Sequence, residues 1–257
     1  MMLNMTITGR DSDQPPVLLA HGLFGSGRNL GGLARRLGET RRVIAVDMRN
    51  HGDSFHDPDH SYPALAHDLA QIVAAEGGQA DILGHSMGGK AAMMLALTQP
   101  GLVRRLIIMD IAPFAYAHSQ ASHIDAMEAT DLAGIERRSE ADARLAEHIS
   151  DPGVRAFLLQ SLDLKADPPQ WKFNLAALRD QMPFLVGWPE NAPKGSFTGP
   201  ALFLIGSESD YCRAPQQSEA IRAHFPQADI RTIAGAGHWL HADRPAEVAG
   251  TVAAFLD

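Results

Sequence analysis

The sequence predicts an α/β architecture: a mostly parallel, doubly wound sheet with a helical cap inserted into it. Three observations carry this. Short, continuous apolar runs alternate with longer helical patterns, the rhythm of strands buried on both faces and linked by crossover helices. The alternation stops between about Ile111 and Thr198, where helical patterns continue without a clear strand. The pentapeptide Gly84-His85-Ser86-Met87-Gly88 joins an apolar run to a helical one, the strand–turn–helix setting of a nucleophile elbow.

The apolar runs at 17–20, 43–46, 80–83, 106–109 and 201–205 read as buried parallel strands, and 230–233 as the last strand. Helices are expected near 62–76, 87–99 and 214–224. A final one spans 245–256, where Pro245 suits the first turn. Residues 111–198 begin at Ile111-Ala112-Pro113 and end in a Pro/Gly-rich run up to Pro200. They are expected to form the cap, over a core made of 1–110 and 199–257.

A chain of 257 residues with 45% hydrophobic content can bury a full core. Its net charge of −8 and lack of a basic stripe argue against a nucleic-acid partner. The pairs Arg35-Arg36, Arg41-Arg42, Arg104-Arg105 and Arg137-Arg138 are scattered and read as solvated faces. Cys212 is the single cysteine, so no internal disulfide forms. That fits a reducing compartment, and a cytoplasmic location is expected. Residues 1–9 show no secretory signal, and no run approaches the ~18 apolar residues of a membrane span.

A serine hydroxyl needs an adjacent base to act as a nucleophile at neutral pH. For Ser86 that base is expected to be His238, in the Gly-rich loop Ala236-Gly237-His238-Trp239 after the last strand. The base needs an acid to fix its tautomer. Asp110 and Asp210 each follow a strand and open at the carboxyl edge of the sheet, so periodicity leaves both in play. The oxyanion of a tetrahedral intermediate is expected to meet the N–H of Met87 and that of Leu23, in His21-Gly22-Leu23-Phe24-Gly25-Ser26. His21 is read as holding that loop, and the charged residues of 47–54 as tying their own loop together.

Two phosphate motifs nearly match. Gly84 to Lys90 reads Gly-x-x-x-x-Gly-Lys, but Ala91 stands where a P-loop needs Ser or Thr. Lys90 is then expected to be an exposed helix residue. Gly25, Gly27 and Gly31 are spaced one residue too widely for a dinucleotide loop. His238 and His241 lack the further ligands of a metal site, which leaves His241 as a surface histidine. Neither a metal nor a cofactor is expected.

As a set, His21-Gly22, Asp47 to Ser54, Gly84 to Gly89 and Gly235 to His238 resemble the α/β-hydrolase superfamily over essentially the whole chain. More narrowly, the chain is similar to the small cap-bearing serine esterases of bacteria and mitochondria. The marks are His-Gly-Leu-Phe-Gly-Ser at 21–26, Arg-Asn-His-Gly at 49–52, Met-Asp-Ile-Ala-Pro at 109–113, Phe157 to Gln160 and Phe173 to Leu175. Most members of the superfamily place the acid three residues after the glycine ending the penultimate strand. Here that position is Ser209, and Asp210 is one residue late. The narrower group places an aspartate where Asp110 stands, so the resemblance selects Asp110. Gln160-Ser161 departs from the Gln-Asn expected there.

The resemblance implies hydrolysis of a small-molecule carboxylic ester or thioester through an acyl-enzyme. Phe24, Phe114, Phe157 and Trp188 are expected at the acyl pocket, although plain packing of the cap explains the last three equally well. C–C bond hydrolysis or cofactor-free peroxidase chemistry would use the same triad. A non-catalytic ligand-binding member is the alternative of another class. Ser86 argues against dehalogenases and epoxide hydrolases, which use a carboxylate there. The sequence leaves acyl length, leaving group and oligomeric state open.

Overall fold

The computed structural model describes residues 1–257. Its centre is a seven-stranded sheet in the order β1 (Met5–Thr8), β3 (Val43–Val46), β2 (Val17–Ala20), β4 (Ala80–His85), β5 (Val103–Met109), β8 (Ala201–Gly206) and β9 (Asp229–Ile233). All neighbours run parallel except β1, which pairs antiparallel with β3. Every residue of β2, β3, β4 and β8 is buried, because helices cover both faces.

Alternation along the strands feeds two apolar layers. Leu18, Ile44 and Ile82 point into the layer shared with α2 (Tyr62–Ala75) and α3 (Met87–Thr98). Val17, Leu19, Val43 and Leu83 point the other way, against α1 (Gly31–Leu37) and α10 (Pro245–Leu256). Between β5 and β8 the chain forms α4 (Ala121–Ala129), α5 (Arg138–Leu145), α6 (Pro152–Leu159) and α7 (Leu175–Val186). The remaining helices are α8 (Pro215–His224) and the single turn α9 (Leu240–Asp243).

Several sequence expectations need correction. β1 was not foreseen: it is a half-exposed edge strand of four residues and lacks a continuous apolar run. Residues 111–198 do contain extended structure, the two-residue strands β6 (Leu162–Asp163) and β7 (Gln170–Trp171), which pair antiparallel. They are too short to leave a pattern. α1 was missed because it opens on Gly31-Gly32, poor helix formers. Arg41 is not solvated: it is 5% exposed and pairs with Asp81 and Asp257. Arg104 also pairs with the fully buried Asp81.

The topology positions the site. From β2 the chain steps first to β3 and later to β4 on the opposite side, which makes the carboxyl ends of β2 and β4 a topological switch point. The register aligns Ala20 with Gly84, Gly84 with Ile108 and Met109 with Leu204. The loops after these strands therefore open at one edge of the sheet.

Candidate active site

Ser86 sits in the tight turn from β4 to α3, with φ 52° and ψ −118°. The crossing is so close that a Cβ on Gly88 would overlap the carbonyl oxygens of Ala20 and His21. One on Gly22 would stand 3.1 Å from the Ser86 Cβ. These glycines bring the loop after β2 against the serine.

The structure brings Ser86, His238 and Asp110 together. His238 Nε2 lies 3.0 Å from Ser86 Oγ, and its Nδ1 lies 2.7 Å from Asp110 Oδ2. Asp110 leaves β5 with φ 53° and has a fully buried side chain. Gly206 N–H donates to its Oδ1 at 3.0 Å, and Ser209 Oγ donates to its Oδ2. Ser209, three residues after the glycine that ends β8, thus gives its hydroxyl to the aspartate of the neighbouring strand. Asp210 points away, with a side chain 95% exposed and paired to Arg213.

The histidine is held from several sides. The Tyr211 ring stacks on it at 3.8 Å with 15° between planes, and a π face favours a cation. His85 Nε2 donates to the His238 carbonyl at 2.8 Å. Burial lowers the pKa of His85 well below the usual value, so it stays a neutral donor. Neither Tyr211 nor His85 was singled out from the sequence, although His85 lies inside the pentapeptide.

Two more buried histidines build the loop after β2. Met48 N–H donates to His21 Nε2 at 2.9 Å, so Nδ1 carries the proton and donates to Gly22 O at 2.8 Å. Phe24 N–H donates to His51 Nε2 at 3.2 Å, and His51 Nδ1 donates to Arg49 O at 2.9 Å. Desolvation lowers both pKa values and keeps these rings in the neutral form that can accept. Asp47 accepts from Gly27 and Asp53 N–H, at 2.8 and 3.0 Å. Amid these bonds the N–H groups of Leu23 and Met87 donate to no protein acceptor.

A cavity of ≈ 290 Å³ opens at Ser86, walled mostly by apolar and aromatic side chains. Phe24 and Phe157 line it, as do Tyr211 and Trp239. Phe114 and Trp188 do not, which corrects the expectation for both. Phe114 packs edge-on to Tyr116. Trp188 packs on Tyr62, and its Nε1 donates to His224 at 3.3 Å. His241 is no surface residue either. It lines the cavity, packs on His85, and burial pulls its pKa down to about 4. Lys90 is 1% exposed at the cavity wall rather than solvated. No group of three or more His, Cys, Asp or Glu side chains is arranged to hold a metal ion.

Comparison with known proteins agrees with this geometry. The chain is 41% identical to a protein named Esterase YbfF from Escherichia coli, over 94% of this chain and 93% of that one. It is 38% identical to a protein named sn-1-specific diacylglycerol lipase ABHD11 from Mus musculus, over 99% of this chain and 85% of that one. A solved structure described as a marine microorganism esterase superposes with a TM-score of 0.92 at 33% identity, covering 99% of both chains. The family model described as "Alpha/beta hydrolase family" matches residues 17–251. With that match spanning nearly the whole chain, and with the serine in its strained turn on a parallel sheet, this protein belongs to the α/β-hydrolase family.

Proposed function

We propose that this chain hydrolyses carboxylic esters, acyl thioesters included, through an acyl-enzyme on Ser86. The carrying observation is the relay from Ser86 Oγ through His238 to Asp110, at 3.0 and 2.7 Å, opening into a largely apolar cavity. In this reading His238 Nε2 takes the serine proton as Oγ attacks the carbonyl carbon. The Leu23 and Met87 N–H groups meet the oxyanion; losing one such donor costs about 2.7–4 kcal/mol of transition-state stabilisation. His238 then protonates the leaving alcohol or thiol. Water enters, gives a proton to the same nitrogen and attacks the acyl carbon. The acyl–Oγ bond then breaks, the acid leaves, and His238 returns the proton to Ser86 Oγ. Asp110 holds Nδ1–H and stabilises the imidazolium, with Ser209 and Gly206 holding Asp110.

Residues 111–198 act as a cap over a core of 1–110 and 199–257. Supporting this, they supply Phe157, Met182 and Leu185 to the cavity. No helix is long and apolar enough to cross a membrane. The single, buried Cys212 supports a reducing, cytoplasmic setting. Relatives named as esterases and a lipase support ester hydrolysis over C–C cleavage, peroxidase chemistry or silent binding.

The test is hydrolysis of p-nitrophenyl esters of graded acyl length, with a diacylglycerol added because of the mouse relative's name. Wild type should turn over esters, and Ser86→Ala should lose about 10⁴-fold or more in kcat/KM. Wild type no faster than Ser86→Ala on every ester would sink the proposal.

A further inference from the structure

Lys90 is the charged group that the relay does not use. It follows Ser86 by one helical turn, with its N–H donating to Ser86 O at 3.0 Å. No carboxylate pairs with it. Instead Nζ donates to Val186 O at 3.1 Å and Gly187 O at 2.6 Å, with Leu185 O at 3.5 Å. These carbonyls end α7, where the negative pole of the helix favours a cation. The ring centroids of Tyr116 and Tyr62 stand 4.8 and 5.5 Å from Nζ. The ammonium thus fastens the elbow helix to the end of α7.

That end of α7 is also cavity wall: Met182, Leu185 and Val186 line it, beside Met87 and Tyr62. Trp239, His241, Phe157 and Asn29 line the cavity as well, and the first two neighbour His238 in sequence. The group that His238 must protonate is the leaving group, so it belongs beside those residues. Resting on the ester-hydrolase reading above, we propose that the acyl chain runs toward α7 and that Lys90 determines its specificity, by fixing the end of α7 as the wall that limits how long a chain the cavity accepts.

The latch has a pH dependence of its own. Burial pulls the Lys90 pKa down to about 7. The groups facing it are Tyr62 on α2, Tyr116 after β5 and Cys212 after β8, and burial pushes all three up, so they stay neutral at pH 7. His118, after β5, has its own pKa lowered by desolvation, then by His238 and Lys90. Raising the pH through about 7 therefore removes the ammonium charge and weakens its hold on the carbonyls.

The experiment compares kcat/KM for p-nitrophenyl decanoate and acetate in wild type and Lys90→Met, a swap of similar length without charge. Both esters use the same His238, so the ratio isolates the pocket. The decanoate-to-acetate ratio should rise about fivefold or more in the variant, within the range a few methylenes are worth in a pocket. In wild type the ratio should climb between about pH 6 and 8.5, and in the variant it should stay flat. A folded variant with a wild-type ratio overturns the proposal. If Lys90→Met does not fold, Lys90→Leu takes its place, and a wild-type ratio in that folded variant overturns it. Wild type that hydrolyses no ester defeats the ester-hydrolase reading and brings this one down with it. An active wild type with unchanged selectivity defeats only the role of Lys90.

Discussion

Four non-glycine residues take a left-handed backbone: Phe24, Asn50, Ser86 and Asp110. Each such conformation costs on the order of 1–3 kcal/mol and persists because the surroundings over-determine it. Three of the four are at the site. At Phe24 the N–H bond to His51 holds the turn; at Asp110, the carboxylate bonds to Gly206, Ser209 and His238 do. A residue-scale test separates the two aspartates. Asp110→Asn should keep the fold and lower kcat/KM by about 10⁴-fold, since an amide cannot stabilise the imidazolium. Asp210→Asn should stay within about twofold of wild type. Equal losses, measured on the best p-nitrophenyl ester, would reject the assignment of Asp110.

At the scale of elements, the β4–α3 elbow depends on what is missing from its glycines. Gly88 N–H donates to His21 O at 3.1 Å, and its α-carbon has carbonyl oxygens where a side chain would go. Backbone cannot give way as a flexible side chain can. Gly88→Ala should therefore destabilise the fold by about 1–3 kcal/mol or more, read as a lower urea midpoint. It should also separate the loop after β2 from Ser86 and reduce activity. A variant with wild-type midpoint would show that this contact relaxes. A Cβ on Gly31 would meet nothing within 4 Å, and Gly31→Ala serves as the control.

Over the whole molecule, burial sets the acid limit of stability. Desolvation lowers the pKa of His21, His51 and His85, takes His60 to about 3 and His241 to about 4. In the unfolded chain these groups titrate near 6.5. Below that pH the unfolded state binds protons that the folded state refuses, so stability falls as pH falls. Their stabilisation is present above about pH 6.5 and is lost progressively toward pH 4 and 3. The melting temperature should decline across that window, more steeply than in a His60→Gln variant. A melting temperature constant from pH 7 to 4.5 would contradict this.

Much of this was legible because short-range rules governed it. Continuous apolar runs mark strands buried on both faces, and the structure has those strands. The pentapeptide specifies its own sharp turn, since small residues are needed wherever strand and helix cross so closely. Where the signal was weak, it was missed: β1 is an exposed edge, and β6 and β7 are two residues each. Chemistry that depends on distant partners could not be read from the chain. Asp110 and Asp210 look alike in periodicity; family resemblance pointed to Asp110, and strand order is what puts its carboxylate under His238 Nδ1. Lys90 looked like a solvated helix residue because the carbonyls that receive it lie 95 or more residues away. The sequence by itself determined the inner strands of the sheet, the elbow between β4 and α3, and the choice of Ser86 and His238 as the residues to bring together. Tertiary structure decided the contacts of the aspartate, the cavity wall and the buried charge, because burial and hydrogen bonding across strands and helices belong to no single segment.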